Sequence, residues 1–199
     1  MLNDHEGATA MEFGLIAPVA MFMVLGTMDI GHSYFVRATL DGAMQTAART
    51  SALESSADST KLALVDLRVK EAVLALAPSA KVTATRRYYK TFSEAALSRA
   101  ETVIEDPTNA DLRCDPGEIF IDANKNGIWD ADGGSDGQGG AKDIVLIKYT
   151  VSYPRLFPIA KIMGWPANVE LETNSILANQ PYGEQSANGT PVQTDCPSE

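Results

Sequence analysis

From 13 to 28 the chain carries no charged side chain, and past Asp29 and His32 the apolar positions continue through Ile30, Tyr34, Phe35 and Val36. Residues 36–53 then change character. Val36, Leu40, Ala43, Met44, Ala47 and Ala48 recur near helical spacing, while Arg37, Asp41, Gln45 and Arg49 mark the other side at i, i+4 intervals. Nothing between Phe13 and Leu53 forces a break, although Pro18 lies inside the run, where a proline usually marks a kink. The pattern predicts one long helix, apolar on all sides in its first half and one-sided in its second. After a turn at 54–59, Leu62, Val65, Val69, Val73 and Leu76 line one face of a second helix over 61–77, capped by Ser or Asp near 55–58 and stopped by Pro78.

The period then falls to two. KVTATRRYYKT at 81–91 is β-branched and aromatic with Val82 and Ala84 alternating against Thr83 and Thr85, which predicts a strand. A short helix follows at 93–102 with Ser93 as its cap. Residues 118–121 form a brief strand, 142–153 (KDIVLIKYTVSY) the strongest one, 155–164 a short helix and 168–178 (NVELETNSILA) a last strand. The polar stretch 179–199 reads as a tail held only if Cys196 is bonded. The fold class is α+β: a long N-terminal helix (8–53, its membrane segment about 13–36) and a small head (54–180) with an antiparallel sheet and short helices, ending in the tail 181–199.

Charge narrows the partners. The 199 residues hold 26 acids and 16 bases, a formal net charge of −10, which argues against nucleic acid and against docking on anionic lipid through a soluble face. The acids are concentrated: eleven lie between Glu101 and Asp143 with only Arg113, Lys125 and Lys142 among them. Catalytic chemistry is missing. His5 and His32 flank the apolar run, no nucleophile motif is present, and GGSDGQGG does not join a strand to a helix as a phosphate loop would. The protein is not expected to be an enzyme.

The apolar run fits an anchor better than a cleaved secretory signal. MLNDHEG contains no base, and TMDIGHSYF offers no small-x-small site after the run. A buried core helix is disfavoured because the run has no polar face. What precedes the run is more specific. Gly7 is followed by Ala8-Thr9-Ala10-Met11-Glu12-Phe13, a glycine before the apolar segment, then Glu at the fifth position and an aromatic after it. This resembles the prepilin-peptidase site of type IV-like pilins, and GATAMEFGLIAPVAMFMVLG looks most like the TadE-like minor pseudopilins of tight-adherence (Tad/Flp) pili. The stretch from VLIKYTVSYPRLFP to NSILANQPYG is similar to the end of the same family.

The resemblance implies a pilin-like fold and cleavage between Gly7 and Ala8, which would leave 1–7 as a leader and make Glu12 residue five of the mature chain. Glu12 and Phe13 would then serve assembly, the carboxylate pairing with the new amine of Ala8 in the same or a neighbouring subunit. The partners implied are a prepilin peptidase, other minor pseudopilins, the major pilin and an inner-membrane assembly platform. The head would stand in the periplasm, and the subunit would initiate or cap a filament. The alternative is an uncleaved single-pass envelope protein with a calcium-stabilised binding head.

Calcium enters through the acidic stretch 105–143. In DANKNGIWDAD the residues Asp122, Asn124 and Asn126 are spaced by two, Gly127 follows for a tight turn, Ile128 sits where a backbone carbonyl is offered, and Asp130 takes the ninth position. That is how an EF-hand loop begins, because alternate side chains converge on a hard cation. The closing Glu is missing, Gly133 standing in its place, and Asp132, Asp136 or Asp143 could substitute. Asp106, Asn109, Asp111, Asp115 and Glu118 make an imperfect earlier copy. Cys114 and Cys196 match no zinc spacing, and outside the cytoplasm they are candidates for one disulfide.

Overall fold

A computed structural model describes residues 6–53, 59–105, 113–157, 164–180 and 192–197. Helix α1 runs unbroken over Glu6–Leu53, through Pro18. Helix α2 spans Ser59–Leu74. The strands are β1 (Lys81–Tyr89), β2 (Val103–Glu105), β3 (Ile119–Asp122), β4 (Ser135–Asp136), β5 (Ile144–Pro154), β6 (Asn168–Ala178) and β7 (Val192–Asp195), with the short helix α3 (Phe92–Leu97) after β1. The α+β class with a long apolar helix ahead of the head is borne out. The expected single sheet is two: a four-stranded antiparallel sheet in the order β4-β1-β5-β6 and a three-stranded one in the order β2-β3-β7.

The main core forms where α1 and α2 cover the larger sheet. Val36, Leu40, Met44 and Ala47 of α1 face Val65, Val69 and Val73 of α2 and the inward row Val145, Ile147, Tyr149, Val151 and Tyr153 of β5. The periods of four and two that marked these residues in the sequence place them on one face of each element. β5 is central, paired with β1 from Lys81↔Ser152 to Tyr89↔Ile144 and with β6 from Ile144↔Ala178 to Pro154↔Asn168. Every inward position of β5 is therefore roofed on both sides and closed by the helices.

One polar device fixes α2 on the sheet. Asp66 accepts from Arg86 Nη1 at 2.8 Å and Nη2 at 2.5 Å, and from the Tyr149 hydroxyl at 2.5 Å. Burial and then the Asp66 carboxylate push the Tyr149 hydroxyl well above its ordinary range, so it remains a donor. Burial works against the Arg86 charge, but the hydrogen bond and field of Asp66 outweigh it. A bidentate guanidinium–carboxylate pair is directional, so it fixes the register of the helix as well as its contact.

The smaller sheet has little core of its own: Val103, Phe120 and Cys196 are buried, with Cys114 and Trp129 packed on them. A disulfide joins Cys114 to Cys196, residues 82 apart in sequence with Cα atoms 5.5 Å apart. It holds β7 on β3, where Ile119 pairs with Asp195 and Asp122 with Val192. The C-terminal stretch thus supplies a strand, contrary to the plain tail expected from its polarity. The short helix also starts earlier than expected: Thr91, not Ser93, is its cap, accepting from Glu94 N while Glu94 reaches back to Thr91 N. Residues 155–157 are not helical, and the rest of the short helix expected there lies outside the described residues, as does the turn at 54–58.

Candidate functional site

The first half of α1 is uncovered. Met11, Phe13, Leu15, Ile16, Val19, Met21, Met23, Val24 and Met28 are all exposed, Phe13 at 73%. Such a surface is stable only against lipid or other apolar helices. Thr9–Ala52 is a helix long and apolar enough to cross a membrane. Gly7 and Ala8 fall in the first turn of α1, and the exposed Glu12 and Phe13 follow a turn later, on the same continuous helix as the core positions Val36 to Ala47.

The head takes hold of α1 at Asp29, the first charged residue after the apolar run. Asp29 is 3% exposed. Its Oδ2 accepts from Arg155 Nη1 at 2.6 Å, and its Oδ1 from the backbone N–H of Leu156 at 3.1 Å. Arg155 also donates from Nε to Pro166 O at 3.0 Å, and its guanidinium lies 5.5 Å from the centre of the Trp165 ring. One turn on, His32 Nε2 lies 3.2 Å from Leu76 O and its ring meets Tyr153 edge-on. The two polar residues that interrupt the hydrophobic pattern are therefore those the head covers.

The acidic loop folds on its own carboxylates. Asp122 Oδ1 accepts from Lys125 N at 2.5 Å and Asn126 N at 3.2 Å, and its Oδ2 from Gly127 N at 2.8 Å. Lys125 and Gly127 both have positive φ, 62° and 77°, which lets successive N–H groups turn inward. Asp130 Oδ2 accepts from the side-chain amides of Asn124 at 2.7 Å and Asn126 at 2.6 Å. Asp122, Asn124, Asn126 and Asp130 thus form one tight loop, as their spacing by two predicts. Asn124 and Asn126 turn their carbonyl oxygens to backbone N–H groups and their amide nitrogens to Asp130. A hard cation would be held by Asp122, Asp130 and the two asparagines only with those amides turned over. Among the described residues no three His, Cys, Asp or Glu side chains come together as a metal cage.

Asp132 lies apart from this set. It accepts from the Tyr89 hydroxyl at 2.6 Å and pairs with Arg87 Nη1 at 2.8 Å. Burial works against its charge, but those two donors and Gly134 N hold its pKa below the ordinary value. Asp115 and Glu118 close a tight Asp-Pro-Gly-Glu turn, Asp115 N donating to Glu118 Oε2 at 2.9 Å and Glu118 N to Asp115 O at 3.1 Å, with Gly117 at φ 94°. Asp106, Asn109 and Asp111 lie outside the described residues.

Glu101 is the loop residue that sequence reading left without a role. It is almost fully buried, and its carboxylate accepts from Ala123 N at 2.9 Å and Asp130 N at 3.0 Å, bracketing the loop. Its backbone N–H donates to Asp130 O, and its carbonyl accepts from Trp129 Nε1 at 2.9 Å. Burial raises the Glu101 pKa, with Asp122 adding to the rise and the backbone donors limiting it. A Cβ on Gly133 would come within 2.9 Å of Glu101 Cγ, so the glycine that replaces the closing Glu of an EF-hand loop makes room for a carboxylate from another segment. No local spacing announces a partner from another segment.

These parts define a class: a single long apolar helix, bare at its N-terminal end, carrying an α+β head with antiparallel sheets. Within that class the N-terminal segment is TadE-like, since residues 7–49 match the family model described as TadE-like protein. No curated protein and no solved structure matches the chain. The resemblance seen in the sequence is thus borne out over the helix.

Proposed function

We propose that this protein is a minor pseudopilin of a tight-adherence pilus. It would be inserted in the inner membrane by the first half of α1, cleaved between Gly7 and Ala8, and packed through that helix with other pseudopilins and the major pilin to initiate or cap the filament, its head in the periplasm. The observation that carries this reading is the bare apolar half of α1 beginning directly after Gly7-Ala8 and Glu12, within the segment matched to TadE-like proteins. Physical reasoning supports it. A carboxylate at the mouth of an apolar segment is costly unless it is paired, and cleavage after Gly7 creates an amine one helical turn away. The test is intact mass of the chain expressed with and without a prepilin peptidase. Loss of residues 1–7 only when the peptidase is present supports the reading. An unchanged mass, with no effect of a Gly7 substitution, favours the uncleaved envelope protein instead.

We also infer that the 122–130 loop takes calcium, with Asp122, Asn124, Asn126, the Ile128 carbonyl and Asp130 as its donors and Glu101 holding its frame. The gathering of Asp122, Asn124, Asn126 and Asp130 in one turn supports this, the two asparagine amides turning over to present oxygen to the ion. Extracellular calcium is on the order of millimolar, enough to fill even a weak loop. Melting temperature with and without chelator tests it, and equal values across millimolar calcium would sink it.

A further inference from the structure

We propose that Asn126 is a site of self-catalysed deamidation, at which the 122–130 loop converts its own asparagine into an aspartyl or isoaspartyl residue. Such a reaction needs a backbone nitrogen without steric cover, an amide carbon held beside it, and groups that take up the proton and meet the oxyanion. Asn126 is followed by Gly127, and both are exposed. Gly127 has φ 77°, and a Cβ built on it would meet nothing within 4 Å. The Asn126 carboxamide is held at both ends. Its Oδ1 accepts from Ile128 N at 2.7 Å, which folds the side chain back over the Gly127 amide. Its Nδ2 donates to Asp130 Oδ2 at 2.6 Å. The Gly127 N–H itself donates to Asp122 Oδ2 at 2.8 Å. The nucleophile thus has a carboxylate at its proton, within the reach of a general base, and the oxygen that becomes the oxyanion already has a backbone donor on it. The other described asparagines, Asn124, Asn168, Asn174 and Asn179, precede Lys, Val, Ser and Gln, whose side chains crowd the approach to the nitrogen.

The Gly127 nitrogen forms a bond to Asn126 Cγ as Asp122 takes its proton. The Cγ–Nδ2 bond breaks, the amide nitrogen gains a proton through solvent and leaves as ammonia, and a succinimide ring remains. Water opens that ring. Attack at Cγ gives aspartate, and attack at the main-chain carbonyl gives isoaspartate. No electrons are exchanged, and water is the only co-reactant. Either product replaces an amide by a carboxylate, adds a negative charge to a chain already at −10, and removes the Nδ2 donor from Asp130. Isoaspartate also puts an extra methylene into the main chain, which pulls Gly127 N and Ile128 N off the partners that set the turn. The loop therefore carries a one-way change of charge and shape driven by its own groups. The inference does not depend on the calcium reading, and its experiment is run in chelator.

The full chain in detergent is held at neutral pH in chelator, either folded or unfolded in urea, and sampled over days. Pepsin digestion at acid pH followed by peptide mass analysis gives the deamidated fraction at each asparagine, and labelling by an isoaspartyl methyltransferase gives the isoaspartyl share. In the folded chain Asn126 should react at least as fast as in urea, and about tenfold or more faster than the other described asparagines. Asp122→Ala should slow the folded-state reaction severalfold by removing the base. The comparison of folded with unfolded chain needs no variant, so the outcome does not depend on that substitution folding. Slower reaction of Asn126 in the folded chain than in urea overturns the proposal, because the loop would then shield the site. A rate in Asp122→Ala equal to that of the native folded chain also overturns it, because the loop would then supply no base.

Discussion

Asp29 and Arg155, 126 residues apart in sequence, meet at 2.6 Å on the side of α1 that faces the head. The pair is the hinge point between a helix surface made for an apolar environment and one made for a protein core. Above it, α1 contributes Val36, Leu40 and Met44 to the head. Below it, α1 leaves Met11, Phe13, Leu15, Ile16 and Met28 uncovered by the head. Removing the cation should be severe, because Asp29 would stay buried without a partner. Arg155→Ala is expected to cost about 3–5 kcal/mol, read by denaturant unfolding of the detergent-solubilised chain. Arg155→Lys should recover only part of this, since it keeps the charge but loses the fork that also reaches Pro166 O.

Glu101 supplies the second prediction. Both of its carboxylate oxygens accept backbone N–H groups from the acidic loop. Glu101→Gln turns one acceptor into a donor facing a donor, which should lower stability by about 1–3 kcal/mol. Under the calcium reading it should also weaken the stabilisation that calcium brings, although Glu101 is not one of the proposed ligands. If the variant melts like the native chain both with calcium and with chelator, Glu101 does not hold the loop.

The disulfide is expected to matter more than its place near the C-terminus suggests. It closes a long loop and bridges a small core of Val103, Phe120 and Cys196. Replacing both Cys114 and Cys196 by Ala should remove about 2–5 kcal/mol and release β7 from β3. Hydrogen exchange would show it as lost protection at position 196, whose N–H donates to Glu118 O, while Ile121, whose N–H donates to Thr102 O, and the β5 amides stay protected.

Acid should loosen the contact around Asp132. Its folded pKa lies below the ordinary 3.8, so its contribution is complete above that value and is lost as the pH falls through the lower, folded value. Glu101 acts in the opposite sense. Its folded pKa is raised above 4.5, so its charging on the way up costs stability as the pH climbs from there through the folded value. Asp132→Asn is therefore expected to lower stability near neutral pH and to flatten the acid limb of a plot of urea midpoint against pH. An acid limb as steep as that of the native chain would show that Asp132 is not among the groups that set it.

Glu12 tests the assembly reading separately from processing. Glu12→Ala should leave cleavage after Gly7 largely unchanged and impair incorporation into the filament, measured by subunit content of sheared pili. Normal incorporation would refute the pairing of Glu12 with the Ala8 amine even if the protein is a pilus component.

Much of this architecture is local and was legible in the residues. The apolar run, the one-sided pattern from Val36 to Ala48 and the alternation through β5 each name their partner surface, because periods of 3.6 and 2 place recurring residues on one face wherever the chain goes. The 122–130 loop was legible for the same reason, since a turn of aspartates, asparagines and a glycine is built from its own backbone. What could not be read is whatever depends on residues far apart meeting. Asp29 and His32 looked like blemishes on a membrane helix until Arg155, Leu76 and Tyr153 were brought against them. The polar C-terminal stretch became a strand only because β3 offered an edge and Cys114 a sulfur. Asp132 fitted the loop by spacing, and Arg87 with Tyr89 drew it elsewhere. Glu101 carried no motif at all. The sequence by itself determined the elements and the bare, TadE-like helix. Only the tertiary structure decided which charges are paired, because a buried carboxylate takes whatever donor the fold delivers, and that delivery is set by strand order and not by neighbourhood along the chain.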